Sequence, residues 1–183
     1  ANARACGFIY EPSFDEIVKM MQLLRAEKPV PAPAVQFSGG EPTMRDDLME
    51  LIRKAKEIGF PQVQLATNGI KMAQDVGYVE DLKSAGLSTV YLHFDGVTKE
   101  TNSKIKSDEK AVRNCEDVGL GVVLVPTIIK GRNDHEIGPI IRYAADHSKA
   151  VRGVNFQPIA FTGAASEEDV QRERITIPEL LED

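Results

Sequence analysis

Three stretches of the chain repeat one pattern of apolar and polar positions. EIGFPQVQLATNG, SAGLSTVYLHFDG and DVGLGVVLVPTII each leave an amphipathic segment, pass a glycine (Gly59, Gly86 or Gly119) and enter a β-rich run. Glycine takes up the left-handed conformation just past a helix end, so each repeat reads as helix, stop, strand. The pattern predicts helices over 13–28, 47–58, 75–85 and 107–118, a fifth from about Asp134 and a sixth over 176–183. Ser13 with Glu16, and Thr176 with Glu179, have the spacing of a capping box. Strands are predicted near 35–38, 63–67, 89–95, 121–128 and 153–158. Helix and strand alternating at this spacing imply parallel strands joined by right-handed crossovers, an α/β fold.

What the strands face decides between an open sheet and a barrel. Val35 and Phe37 alternate with Gln36 and Ser38; Val63 and Leu65 with Gln64 and Ala66; Val90, Leu92 and Phe94 with Tyr91, His93 and Asp95; Val154 and Phe156 with Asn155 and Gln157. A parallel sheet covered on both faces reads as continuous apolar runs. Here one face is repeatedly polar, and only 121–129 is apolar on both faces until Thr127. The apolar face must pack on helices, so the polar face encloses something wet, as in a barrel or half-barrel whose lumen is a site. A complete eight-fold barrel takes about 250 residues and fills its centre with branched aliphatic side chains. This chain of 183 residues fits neither property.

Composition narrows the partners. A net charge of -6 offers no basic surface for a phosphate backbone, so nucleic acid is not indicated. No apolar run approaches the roughly 20 residues of a membrane span, and the start lacks a signal-peptide pattern, which points to a cytoplasmic protein. Two cysteines, Cys6 and Cys115, are too few for a disulfide framework and belong to no metal-like cluster.

Ligands of parallel α/β proteins gather at the carboxyl ends of the strands. Every unusual short motif lies at such an end: Ser38-Gly39-Gly40-Glu41-Pro42, Thr67-Asn68-Gly69, Asp95-Gly96, Pro126-Thr127 and Gln157-Pro158. Two glycines let backbone approach a ligand, and Pro42 fixes the chain beyond Glu41 and removes a donor. The loop thus presents carbonyls and a carboxylate, a surface for an ammonium group rather than a phosphate, which would call for lysine and a hydroxyl residue in the loop. A tight turn with Glu41 favourably placed in the first turn of a helix explains the same residues.

FSGGEPTMRDDL resembles the glycine-rich motif of radical S-adenosylmethionine enzymes, and QLATNGI, YLHFDGVT, VVLVPTIIKGRNDHEIG and VNFQPIAFTG follow in the order of that family's strands. The resemblance implies a partial six-fold (βα) barrel, with S-adenosylmethionine and a [4Fe-4S] cluster as cofactors. It implies an enzyme that reductively cleaves S-adenosylmethionine to a 5'-deoxyadenosyl radical for hydrogen abstraction. An electron donor such as ferredoxin or flavodoxin, and a small-molecule or lipid substrate, would be its partners. By the same resemblance Ser38, Gly39, Gly40 and Glu41, with Pro42, would receive the methionine ammonium. Asn68 and Asp95 would face the methionine carboxylate and the ribose hydroxyls, Thr127 and Gln157 would lie along the adenine, and His93 would meet ribose or substrate. For Thr67, Asn155 and His93 a satisfied polar group in a lumen is an equal reading. Lys130 and Asn133 read as loop structure, and Asp134 and His135 as a helix start.

Within the family, GFIYEPS, AVQFSGGEPTMRDDL, VVLVPTIIKG and VRGVNFQPI resemble archaeal radical enzymes of the tetraether lipid synthase type, which join lipid tails through carbon-carbon bonds. The same core also resembles enzymes of molybdenum-cofactor synthesis and peptide modification. One departure bears on mechanism: the family's CxxxCxxC cluster loop is absent. The expectation is that the first strand and the cluster loop precede Ala1, that residues 1–183 are a fragment of the core with no metal ligands of their own, and that the fragment alone is inactive. Two other classes make different demands on the sequence. An aldolase-like barrel needs an inward lysine on a strand, and no predicted strand contains one. A non-catalytic module that binds the nucleoside would lack a cysteine triplet altogether.

Overall fold

The computed structural model describes residues 10–161 and 166–182. Among the described residues seven strands form: β1 (Ala34–Phe37), β2 (Gln62–Thr67), β3 (Thr89–His93), β4 (Gly121–Val125), β5 (Thr127–Ile128), β6 (Val151–Val154) and β7 (Gln157–Pro158). Five make one parallel sheet in the order β1-β2-β3-β4-β6, and β5 pairs with β7, also in parallel. Eight helices accompany them: α1 (Phe14–Ala26), α2 (Leu48–Ile58), α3 (Ile70–Gln74), α4 (Val76–Ala85), α5 (Ile105–Val118), α6 (Ile137–Asp146), α7 (Glu167–Glu173) and α8 (Ile177–Glu182).

The alternation in the sequence becomes two faces. In register, Phe37, Leu65, Val90 and Val122 form one row across the sheet. Val63, Leu65, Val90, Leu92, Val122 and Leu124 are buried against Leu51, Ile52 and Ala55 of α2, Val79 and Leu82 of α4, and Ala111, Val112 and Cys115 of α5. Each such aliphatic side chain contributes about 1.5–3 kcal/mol by leaving water, so this layer is what fixes the register. Gln36, Ala66, Tyr91 and Val125 line a cavity on the opposite side. Gly59, Gly86 and Gly119 close α2, α4 and α5 in the left-handed conformation, as their repeat predicts.

The fourth and fifth predicted strands are each broken in two. Pro126 has no N–H and interrupts the run after β4, while 155–156 separates β6 from β7. The chains stay joined across the breaks, since Asn155 N–H donates to the Leu124 carbonyl at 2.8 Å and Gln157 N–H to the Pro126 carbonyl at 2.9 Å. The predicted third strand ends at His93, leaving Phe94 and Asp95 in the loop. Two short helices, α3 and α7, fall outside the expected set. α1 and α8 start at their expected caps, with Glu16 accepting from Ser13 N–H and Glu179 from Thr176 N–H, each at 2.8 Å. Among the described residues no helix is long and apolar enough to cross a membrane.

Candidate functional site

The glycine-rich loop follows β1 directly. Gly39 has φ +143°, a conformation that side chains disfavour. A Cβ added at Gly39 or Gly40 would meet no atom within 4 Å. The space it would enter is a cavity of about 400 Å³ lined by Gln36, Ser38, Gly39, Gly40, Glu41, Ala66, Thr67, Asn68, Tyr91, His93, Val125 and Gln157. Bare backbone therefore borders open volume of a size that small-molecule sites use.

Glu41 lines that cavity, yet its hydrogen bonds run into the protein. Oε1 accepts from Thr43 N–H at 3.1 Å, from Thr43 Oγ1 at 2.6 Å and from Thr67 Oγ1 at 2.6 Å, while Oε2 accepts from Asn68 N–H at 2.9 Å. Burial acts to raise its pKa, but the donors of Asn68, Thr43 and Thr67 outweigh burial and hold it below the ordinary carboxylate value. Glu41 thus ties the loop after β1 to the end of β2. Pro42 and Thr43, both buried, continue this framework through the 3-10 turn Pro42–Met44. Lys71 donates to the Thr43 carbonyl at 3.1 Å and lies 4.4 Å over the Tyr78 ring. Burial, reinforced by the charge of Glu41, pushes the Tyr78 hydroxyl up to about 12.

At the end of β2, Asn68 lines the cavity and its Oδ1 accepts from Ile70 N–H at 3.0 Å. After β3, His93 Nε2 and Asp95 Oδ2 are 2.6 Å apart, and Asp95 Oδ1 accepts from Thr127 N–H at 3.1 Å. The contact with Asp95 raises the His93 pKa, with burial opposing it. Burial pushes Asp95 up, but the hydrogen bonds from His93 and Thr127 hold it below the usual range.

A further carboxylate escaped the sequence reading. Glu136, 2% exposed, accepts from Val97 N–H, Thr98 Oγ1 and Thr101 Oγ1, stapling the loop after β3 to the start of α6. These donors, against the opposing effect of burial, lower its pKa. In sequence nothing sets it apart from the acids around it, and only the fold brings Thr98 and Thr101 to it.

The predicted residues therefore separate into groups. Ser38, Gly39, Gly40, Glu41, Asn68, His93 and Gln157 share the first cavity. Asp95 and Thr127 line a second of about 380 Å³, which His93 also borders, so one imidazole belongs to both. Pro42 lies on a third, about 270 Å³, behind the glycine loop. Asn155 lines none of these, and its neighbour Phe156 packs on the core. Among the described residues no group of histidine, cysteine and carboxylate side chains could hold a metal ion. Cys115 is buried, and burial pushes its thiol up to about 12; Cys6 lies outside the described residues. The described residues fit S-adenosylmethionine through the open backbone cradle and the ring of acceptors and amides. They provide no ligand set for an iron–sulfur cluster.

Comparison with known proteins gives the family and the fold. The model of the radical SAM superfamily matches residues 2–144. 7,8-Dihydro-6-hydroxymethylpterin dimethyltransferase of Methanocaldococcus jannaschii is 50% identical over 99% of this chain and 37% of its own length. GTP 3',8-cyclase of Lactiplantibacillus plantarum is 28% identical over 80% of this chain and 45% of its own. Thus the chain spans less than half the length of either curated relative. Neither is a lipid synthase, the subgroup expected from the sequence. Two solved structures of native anSMEcpe share the fold: that with bound AdoMet at TM-score 0.57 and 17% identity, over 87% of this chain and 49% of that one, and that with AdoMet and the Cp18Cys peptide at 0.60 and 16%, over 91% and 51%.

Proposed function

The chain belongs to the radical SAM superfamily, and we propose that it forms the S-adenosylmethionine-binding core of an enzyme that abstracts hydrogen from an unreactive C–H bond. The observation that carries the reading is the glycine cradle opening on a 400 Å³ cavity ringed by Ser38, Asn68, His93 and Gln157. Backbone carbonyls of the Ser38–Gly40 loop take the methionine ammonium, and Glu41 holds that loop in place. The Asn68 amide donates to the methionine carboxylate. Asp95, already accepting from His93 and Thr127, uses its remaining lone pairs for the ribose hydroxyls, and Thr127 and Gln157 border the base. S-adenosylmethionine held by these residues would supply the hydrogen-abstracting group. An electron donor such as ferredoxin or flavodoxin serves the intact protein.

Two substrate readings follow from different observations. A small pterin-like heterocycle is supported by the relative at 50% identity. A lipid tail joined by a carbon-carbon bond is supported by the segments AVQFSGGEPTMRDDL and VRGVNFQPI. The test uses the intact protein, reconstituted anaerobically with iron, sulfide and a strong reductant. Release of 5'-deoxyadenosine from S-adenosylmethionine is the expected result, and none under conditions in which the protein carries a cluster would overturn the proposal. Deuterium carried into 5'-deoxyadenosine from a labelled dihydropterin or from a chain-labelled archaeal diether lipid selects between the substrates.

A further inference from the structure

Asn133 sits in the segment after β5 that the sequence assigns only to loop structure. It is 4% exposed, and its amide hydrogens are directed at the strand ends. Nδ2 donates to the Asp95 carbonyl at 2.7 Å and to the Thr127 carbonyl at 2.9 Å, and Oδ1 accepts from Ile129 N–H at 2.8 Å. The two carbonyls belong to the residues whose side chain and N–H already meet, because Thr127 N–H donates to Asp95 Oδ1. One primary amide therefore locks the end of β3 to the start of β5. Thr127 in turn pairs in register with Gln157, so the lock extends to β7.

Only an amide of this length satisfies the arrangement. The two carbonyls need two donors from one atom, and Ile129 N–H needs an acceptor. Aspartate would set a carboxylate oxygen against two carbonyl oxygens, and alanine would leave two acceptors and one donor without partners in a buried place.

We infer that Asn133 is a positioning residue for the nucleoside end of the cofactor site, fixing Asp95 and Thr127 at the separation that ribose and base require. The inference rests on the S-adenosylmethionine reading above. It concerns Asn133 acting through Asp95 and Thr127, not contact between Asn133 and the ligand.

The test is a binding cycle on the intact protein, read by calorimetry. Its probes are S-adenosylhomocysteine and 5'-methylthioadenosine, which has the nucleoside without the amino acid. Asn133→Ala should weaken both ligands by about tenfold, the scale of one hydrogen bond to a ligand. Asp95→Asn should weaken both as well, and the double variant should lose less than the product of the single losses, because Asp95 can be misplaced only once. Losses that multiply, or an Asn133→Ala protein that binds 5'-methylthioadenosine like wild type, would overturn the inference. Wild-type protein that binds neither probe marks failure of the cofactor reading instead. Should Asn133→Ala not fold, Asn133→Ser, which retains one hydroxyl donor, takes its place in the same cycle, with a smaller loss and the same non-additivity expected.

Discussion

Glu41→Gln distinguishes a carboxylate that grips a ligand from one that builds the loop. The amide can place its oxygen at the position of Oε1 and keep acceptance from Thr43 N–H and from the Thr43 and Thr67 hydroxyls. Its NH2 then faces Asn68 N–H, donor against donor, where Oε2 accepted at 2.9 Å. The reverse orientation keeps acceptance from Asn68 N–H and lets the NH2 donate to the two rotatable hydroxyls, but sets it against Thr43 N–H, so it too loses one hydrogen bond. Either orientation loses one hydrogen bond to a charged acceptor, worth about 1.5–3 kcal/mol, and weakens three others from charged to neutral. A loss of roughly 2–4 kcal/mol follows, which for a domain of this size lowers Tm by about 5–15 °C. Thermal unfolding followed by circular dichroism at neutral pH reads this. Because the Glu41 pKa is lowered in the folded state, its contribution is complete above the ordinary value of 4.5 and is lost as pH falls through the folded value. The gap between wild type and variant should therefore close in acid. A variant with wild-type Tm that nevertheless fails to bind S-adenosylhomocysteine would refute this argument and return Glu41 to the ligand.

Two glycines should separate folding from binding. Alanine at Gly96 would place its Cβ against Thr101 Oγ1 and Glu136 Oε2, breaking the Glu136 staple and costing about 1–3 kcal/mol of stability in a thermal melt. Alanine at Gly40 meets nothing within 4 Å in the protein, so Tm should hold while calorimetric affinity for S-adenosylhomocysteine falls. Cys115 should resist iodoacetamide at pH 8 in the native protein and react only after unfolding, as mass spectrometry of its peptide would read, because burial pushes the thiol up to about 12. His93 should titrate by NMR above its ordinary value of 6.5, and Asp95→Asn should bring it back down. The raised His93 pKa gives stability that is full below 6.5 and lost as pH rises through the folded value, while the lowered Asp95 pKa gives stability lost in acid below 3.8.

The layer of the fold that depends on local periodicity was legible in the sequence. Val63 and Leu65, Val90 and Leu92, and Val122 and Leu124 announce which strand face packs on the helices, and the glycine stops mark where helices end. The pairing of β5 with β7 was not legible, because a two-residue strand has no period to read and Pro126 looks like an ordinary interruption. Among the residues that line the two cavities, those whose type is odd for their place stand out in the sequence: two glycines at a strand end, and a histidine and an aspartate on an alternating face. Asn133 and Glu136 were missed as structural organisers because each is an unremarkable residue near a helix start. Their partners lie 38 and 6 residues away for Asn133, and 35 to 39 for Glu136.

These partners give a common role to the acidic residues around the mouth of the sheet. Glu41 joins the loop after β1 to the end of β2, Asp95 joins the loop after β3 to the start of β5, and Glu136 joins the loop after β3 to α6. Against burial, each has a lowered pKa because its charged form is stabilised by protein donors at Glu41 and Glu136, and by His93, Thr127 N–H and the charge of Lys104 at Asp95. Glu41 already accepts from four protein donors, so its charge is committed to holding the loop. The acceptors left at the glycine loop are main-chain carbonyls, fixed in direction by the staples behind them. Charge at the loop then serves rigidity, and recognition passes to backbone that no substitution can delete. Substitutions at Glu41 and at Glu136 should consequently act on ligand affinity and thermal stability together, whereas those at Gly40 should act on affinity alone.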